Sequence, residues 1–459
     1  MSTMIRERQI SPVELVEAHL RQIEKHNPRV NAFVTVLAEE AREAARKAEA
    51  AIMRADSLGL LHGIPVTVKD SFDMAGLPTL CGSKFRMGHR ADEDSSAVAR
   101  FRAAGAIILG KTNCPEFLSN YETDNYITGR TNNPWDLDRT AGGSSGGESA
   151  AIASYCSAGG IGSDGGGSVR IPAHFCGIVG LKPTPGRISA AGHFPSISHP
   201  GGLLGVAGPL GRSAQDVRLL FAALAGYDSR DPFSAPVPLA APNVSDQCIA
   251  VIEQFYEVPV QADTREAVRK AAQALERIGF KTEPFTPHGV ERAPNLWWFF
   301  FGQLPARMTQ KMLEGREQDA HWTGTEFLST ALEQPEPTAE DVLNSLAARD
   351  RMRAGLLRQM ENLPIILAPV CGVPAFRHRE RRWPTESKPI GLFEAMMPVT
   401  PWNLLGMPAA VVPFSLSATG LPIGVQLIGR PYEEELILEV AMRLEEARGP
   451  FPGPPGFSA

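Results

Sequence analysis

The chain has 459 residues, with 45 Lys and Arg against 51 Asp and Glu, a formal charge of −6, 43% hydrophobic and 21% charged residues. Those values exclude a disordered chain, which would be richer in charge and poorer in apolar side chains, and they leave no basic footprint for nucleic acid. No stretch reaches the roughly 18 apolar residues of a membrane span, MSTMIRERQISP is charged where a signal peptide is apolar, and the six scattered cysteines form no C-x-x-C pair. The expectation is a cytoplasmic enzyme or binding protein with no metal and no cofactor.

Residues 11–58 read as two helices. Ser11, Pro12 and Glu14 make a capping box with proline in the first turn, and EEAREAARKAEAAI at 39–52 is rich in helix formers. IPVTVK at 64–69 reads as a strand, with Ile64, Val66 and Val68 on one face and Pro65, Thr67 and Lys69 on the other. Asp94 is the expected cap of the next helix, and AIIL at 106–109 is a buried strand leading into GKTN. Strands alternating with helices predict an α/β sheet.

Glycines crowd residues 142–167, and from Gly165 to Gln215 there is no Asp or Glu, although Arg170, Lys182, Arg187 and Arg212 lie inside. At the overall frequency of 51 acids in 459 residues, those 51 positions would hold between five and six. Such a segment suits a buried centre and the stabilisation of negative charge during a reaction. Beyond residue 228 the chain turns Pro-rich and polar, as a surface connection does. Residues 263–278 read as a helix, NLWWFFFG at 295–302 groups five aromatics, and EQPEPTAED at 333–341 is a turn and helix start. LPIILAP (363–369), AAVVPFS (409–415) and PIGVQLIG (422–429) read as buried strands, and EEELILEVAMRLEE (433–446) as a closing amphipathic helix. The tail GPFPGPPGFSA is expected to fray.

Three readings of the glycine-rich centre compete. Gly160-Ile-Gly162-Ser-Asp-Gly165 satisfies G-x-G-x-x-G, but the acid that would hold a ribose about 20 residues later is missing. Gly142-Gly-Ser144-Ser-Gly146 satisfies the G-x-S-x-G elbow, as does the frame centred on Ser145. That elbow needs Asp or Glu and then His further along; the last histidine is His378, so the order is met, but the FRHRERRWP around it is charged, an expected exposed loop. The third reading joins Lys69 in HGIPVTVKD, Ser144 in GGSSGGES and Ser168 in GSDGGGSVRIPAHFCGIVGLKP.

On these motifs the sequence resembles the amidase signature family of serine hydrolases. The 24 residues between Ser144 and Ser168, and the lysine 75 residues upstream of Ser144, are similar to the family's spacing. So are NPWDLDRTAGGSSGGE, GPLGRSAQDV and TPWNLLGMPAAVVPFSLSATGLPIGVQLIG, and the likeness covers residues 11–225 and 395–447. The resemblance implies a single large α/β domain over residues 1–459, with a mixed central β-sheet covered by α-helices. Its signature core would lie at about 60–225 and 395–447, with a variable substrate-side cap at about 228–395. The resemblance also implies Ser168 as nucleophile, Ser144 as a bridging serine after a cis Gly143–Ser144 bond, and Lys69 as the base.

A serine hydroxyl is a poor nucleophile until a base takes its proton. Lysine titrates at about 10.4 and must be pushed down to act as that base, which burial at the end of an apolar strand would do. Asp70 should face away by strand parity. The proton would pass from Ser168 through Ser144 to Lys69, and back through Ser144 to the leaving nitrogen. The backbone N–H groups of Gly165, Gly166 and Gly167 are the expected oxyanion hole, with the start of a helix at Ser168–Val169 adding its dipole. Family members commonly carry threonine or a larger residue where Gly165 stands, so a wider acyl pocket is expected. Ser145 and Arg170 are expected supports, Ser145 by closing its turn and Arg170 by anchoring a helix through carbonyls or Asp164.

Most of the run Trp297–Phe301 is expected in the core, with one or two rings on a pocket. His193 and His199 are expected loop residues, and Cys81, Cys114, Cys156 and Cys176 small buried hydrophobes. The expected activity is hydrolysis of bulky, apolar or aryl amides through a Ser168 acyl-enzyme, with esters, anilides and carbamates as related substrates. The protein would act on a small molecule as a monomer or homodimer, without nucleic acid or membrane. Two alternatives stand beside it: a glutamine-hydrolysing amidotransferase subunit for misacylated tRNA, and a binding protein on a degenerate scaffold.

Overall fold

In the computed structural model, residues 1–197, 204–244 and 247–458 are described. His199 lies outside the described residues. Eleven strands among them join one sheet: β1 (Phe33–Val36), β2 (Pro65–Lys69), β3 (Ile107–Thr112), β4 (Gly159–Asp164), β5 (Val179–Lys182), β6 (Val206–Gly211), β7 (Cys248–Val251), β8 (Lys281–Pro284), β9 (Ile365–Pro369), β10 (Ala409–Leu416) and β11 (Pro422–Gly429). The spatial order is β1-β3-β2-β4-β6-β5-β10-β11-β9-β7-β8. β2 runs parallel to both β3 and β4, and β7 to both β8 and β9, while the remaining pairs are antiparallel. The sheet is mixed, as expected.

Both faces of the sheet are covered, which is why its strands read as nearly continuous apolar runs. Val66, Val68, Ile365, Leu367, Val425 and Leu427 pack on one face with Ile437, Val440 and Leu444 of the C-terminal helix. Ile366, Ala368 and Ile428 turn to the other face, against Trp297, Leu356 and Trp402. The period of two settles which side each residue faces.

Helices α1 (Pro12–Val30) and α2 (Ala38–Met53) are the expected N-terminal pair, and the Ser11–Glu14 capping box is formed. Helix α3 (Ser96–Ala103) is capped by Ser95, whose hydroxyl accepts from Val98 N–H, and not by Asp94. Asp94 instead accepts from Ala75 N–H at 2.9 Å and pairs with Arg102 at 2.9 Å. Helices α4 (Gly146–Ala153), α5 (Arg170–Cys176), α6 (Ala214–Leu224) and α7 (Ala262–Arg277) follow. Then come α8 (Ala293–Trp298), α9 (Leu304–Leu313), α10 (Ala339–Gln359) and α11 (Glu434–Arg448). Among the described residues no helix is long and apolar enough to cross a membrane.

Arg170, Lys182 and Arg187 of the acid-free stretch are buried, and the two arginines take carboxylates from outside it, whereas Lys182 donates to Pro183 O at 3.0 Å and Arg212 to Ser157 O at 2.8 Å. Arg187 meets Glu434 at 3.0 Å and Glu435 at 2.6 Å on α11. Two expectations change. Residues 228–395 do not form a cap throughout, because β7, β8 and β9 extend the sheet from within that segment. Apolar runs such as CIAV and IILAP need ladder partners for their backbone groups. The C-terminal tail does not fray at Phe457, which is buried 4.8 Å from the His26 ring with the Arg29 guanidinium 4.4 Å over it.

Candidate active site

Lys69 is the last residue of β2, and β2 pairs in parallel with β4 through Thr67–Gly160 and Val68–Ile161. Parallel neighbours end side by side, and the loops after them share one crevice. Lys69 is fully buried, with Nζ 2.7 Å from Ser144 Oγ, 3.0 Å from Ser145 Oγ and 3.1 Å from Ser163 Oγ. Burial lowers the amine to about 8, against the opposing pull of nearby Cys114, Cys81, Asp164 and Glu148. A neutral amine has two hydrogens and one lone pair. The Ser145 hydroxyl donates to Ser163 O at 3.3 Å, so toward Lys69 it accepts. That leaves the lone pair free to accept from a second hydroxyl, and Ser144 is the nearest.

Asp70 faces away, as parity requires, and meets Lys111 at 2.8 Å. Thr67 points with Lys69 toward α4, where its hydroxyl donates to Glu148. Burial raises the Glu148 carboxyl to about 7, against hydrogen bonds from Thr67 and Thr112. Ser163 was not foreseen. Strand parity hid it, because Ser163 alternates with Gly160 and Gly162, which face α4: a Cβ would lie 2.0 Å from Glu148 Oε1 at Gly160 and 2.5 Å from Ser145 Oγ at Gly162.

The Gly143–Ser144 peptide bond is cis. Ser145 N–H donates to Ser168 O at 3.1 Å, which ties the two serine segments together. Ser168 is 8% exposed, and its hydroxyl has no hydrogen-bond partner among the described residues. It opens into a narrow cleft walled by Tyr121, Trp297, Phe301 and Phe393. Gly165, Gly166 and Ser168 have N–H groups without a partner among the described residues. Gly167 departs from expectation. Its N–H donates to Asp164 Oδ1 at 2.7 Å and is not free for an oxyanion.

Asp164 also accepts from the N–H groups of Val169 at 3.0 Å and Arg170 at 3.3 Å, so a carboxylate already answers the positive end of α5. Arg170 is buried and anchors this carboxylate through Nε and Nη2, both at 3.1 Å. It also donates to Val399 O at 3.0 Å, to Gln426 Oε1 at 3.1 Å and to Asn403 Oδ1. Burial would raise Asp164, but Arg170, Lys182 and Asn403 hold it well below the usual carboxylate range. Arg170→Met would strand a buried carboxylate, and a loss of about 3–5 kcal/mol is expected in denaturant unfolding. An unchanged midpoint would show that the pair carries no stability.

A cavity of about 380 Å³ adjoins the cleft, lined by Tyr121, Trp297, Trp298, Phe393, Met396 and Met397, with Asn295, Gln303, Thr330 and Gln334 as neutral polar groups. Among the described residues, no side chain lining it bears a charge. The aromatic run divides between core and pocket. Phe300 and Trp297 are both buried, and Trp297 also lines the cleft with Trp298 and Phe301. Trp297 stacks on Phe301 with centroids 4.7 Å apart and planes at 17°. Gly165 does not widen the pocket, because a Cβ there would lie only 3.3 Å from Phe301 Cε2. The stacked rings fill the room that the missing side chain leaves.

His193 is a buried loop residue whose Nδ1 lies 2.7 Å from Pro195 O, and burial lowers it to about 3. His378 lies on a loop whose Arg377 and Arg379 are exposed, as expected, but its own ring turns inward. It sits 3.3 Å from Glu122, which Arg381 also binds at 2.6 Å. Among the described residues no histidine bonds Ser144, Ser145 or Ser168. Cys81, Cys114, Cys156 and Cys176 are buried free thiols.

The model of the Amidase family matches residues 14–438. An indoleacetamide hydrolase of Bradyrhizobium diazoefficiens is 35% identical over 455 residues, covering 97% of this chain and 85% of that protein. The A subunit of a glutamyl-tRNA(Gln) amidotransferase from Anaeromyxobacter sp. (strain K) is 33% identical over 479 residues, covering 97% and 95%. The crystal structure of a bacterial aryl acylamidase of the amidase signature family superposes with a TM-score of 0.87 at 27% identity, covering 97% of this chain and 95% of that one. The chain belongs to the amidase signature family, whose members are hydrolases acting on amides.

Proposed function

We propose that this protein hydrolyses the C–N bond of bulky apolar or aryl carboxamides through an acyl-enzyme on Ser168. The observation that carries this reading is the fully buried Lys69 amine, lowered to about 8 and 2.7 Å from Ser144 Oγ, with the next residue's N–H, that of Ser145, tied to Ser168 O at 3.1 Å. Lys69 accepts the Ser144 proton and Ser144 accepts that of Ser168, whose hydroxyl turns from the open cleft toward it as the substrate binds. Ser168 Oγ attacks the carbonyl carbon. The free N–H groups of Gly165, Gly166 and Ser168 receive the oxyanion, each worth about 3 kcal/mol of barrier. The proton then returns through Ser144 to the departing nitrogen, which cannot leave as an amide anion. Water, activated along the same path, releases the acid.

The uncharged aromatic cavity supports an aryl or alkyl group beside the carbonyl. The Bradyrhizobium relative and the bacterial aryl acylamidase, by their names, act on amides of this kind. Esters, anilides and carbamates present the same planar carbonyl to the same donors. The test compares kcat/KM for an anilide or aryl carbamate with that for acetamide. Ring burial predicts a preference of roughly 100-fold for the aryl substrate; a clear preference for acetamide would reject the reading.

A second reading follows from the amidotransferase relative, namely glutamine hydrolysis within a complex acting on misacylated tRNA. Free glutamine carries an ammonium and a carboxylate, and burying either without a partner is costly. Among the described residues, the cavity wall supplies no charge to meet them. Hydrolysis by the purified chain alone supports the first reading, and activity only with partner subunits supports the second.

A further inference from the structure

We infer that Trp297 is a positioning residue for the oxyanion donors: its indole N–H holds the Gly165–Gly166 peptide plane, so the ring that walls the substrate cavity also aims the loop. The inference rests on the reading of Ser168 as nucleophile.

Three successive glycines have no side chains to lock their peptide planes, and each plane can turn at little steric cost. The Gly166–Gly167 plane is held at both ends. Its carbonyl accepts from Tyr121 Oη–H at 3.0 Å, and its N–H donates to Asp164 at 2.7 Å. The Gly165–Gly166 plane is held at its carbonyl, which accepts from Trp297 Nε1–H at 2.8 Å. Its N–H, belonging to Gly166, has no partner among the described residues. In a trans peptide the C=O and N–H point in opposite directions. Fixing the Gly165 oxygen therefore fixes the direction of the Gly166 donor. That restraint comes from a side chain 132 positions away.

The ring is in turn tightly seated. Trp297 is 3% exposed and stacked on Phe301. A Cβ at Gly166 would lie 2.3 Å from Trp297 Cζ2, so only glycine fits beneath the indole. Trp297 also lines both the 380 Å³ cavity and the cleft that holds Ser168. A substrate ring lodged there packs on the same indole that steadies the donor. Good filling of the cavity is thus expressed in turnover as well as in binding, because the oxyanion forms only along the reaction.

The test replaces Trp297 with 3-benzothienylalanine, which keeps the bicyclic shape and puts sulfur in place of N–H; Trp297→Phe is the encoded counterpart. With an aryl amide as substrate, kcat is expected to fall about 10- to 100-fold while KM stays within about twofold, the pattern of a contact made only in the transition state. A merely structural ring would leave the benzothienyl variant at native kcat. An unchanged kcat, or a loss confined to KM, overturns the inference. Peptide mapping after fluorophosphonate treatment of the native enzyme separates the two claims. A label on Ser168 with unchanged kcat in the variant overturns the inference alone, whereas a label elsewhere overturns the Ser168 reading and the inference with it.

Discussion

Ser168→Ala is expected to lower kcat on an aryl amide by roughly five to six orders of magnitude, as loss of the nucleophile does in other serine hydrolases. The residual rate would come from the oxyanion donors and from substrate binding, both left in place. Stability should hardly change. The Ser168 hydroxyl bonds no described residue, and the Ser168 carbonyl that accepts from Ser145 N–H is retained in alanine. Thermal melting alongside single-turnover kinetics separates the chemistry from the fold. Activity within about tenfold of native would move the nucleophile to another residue.

Lys69→Met is expected to cost a comparable factor on amides and far less on an activated aryl ester. An amide nitrogen must receive a proton before it can leave, and a phenolate need not. Methionine retains most of the buried volume but leaves Ser144, Ser145 and Ser163 without the amine that joins them. Equal losses on both substrates would contradict proton delivery through Lys69. The same residue sets the pH dependence. Its buried amine is lowered to about 8, so below that value it is an ammonium and accepts no proton. In the native enzyme kcat/KM should rise with pH and level off above about 8. A flat profile would count against a lysine base.

The proposed reacting residues were legible because they lie in short motifs whose spacing and strand parity survive in one dimension. Ile64, Val66 and Val68 do face the core that Lys69 avoids, and Asp70 does turn away. Capping was legible to within a residue. Ser95 and Asp94 both suit an N-cap, and Arg102 on the new helix drew Asp94 away. Contacts between distant parts of the chain were not legible. Nothing local tells that Trp297 reaches the Gly165 carbonyl, that Phe301 occupies the space beside Gly165, or that Asp164 takes the Gly167 N–H. The Pro- and Gly-rich tail misled for a similar reason, because its order comes from the Phe457 ring landing on His26 and Arg29. Composition favoured a loose end, and one buried aromatic contact opposed it.

Serine activation can be isolated by the pH dependence of fluorophosphonate labelling, with the modified residue located by peptide mass spectrometry. Fluoride leaves without needing a proton, so the rate reports only removal of the hydroxyl proton. The expected result is a single adduct on Ser168, formed about tenfold faster per pH unit up to about 8, the value to which burial lowers Lys69. An adduct on any other residue, or a labelling rate indifferent to pH across that range, would contradict a buried lysine acting through Ser144.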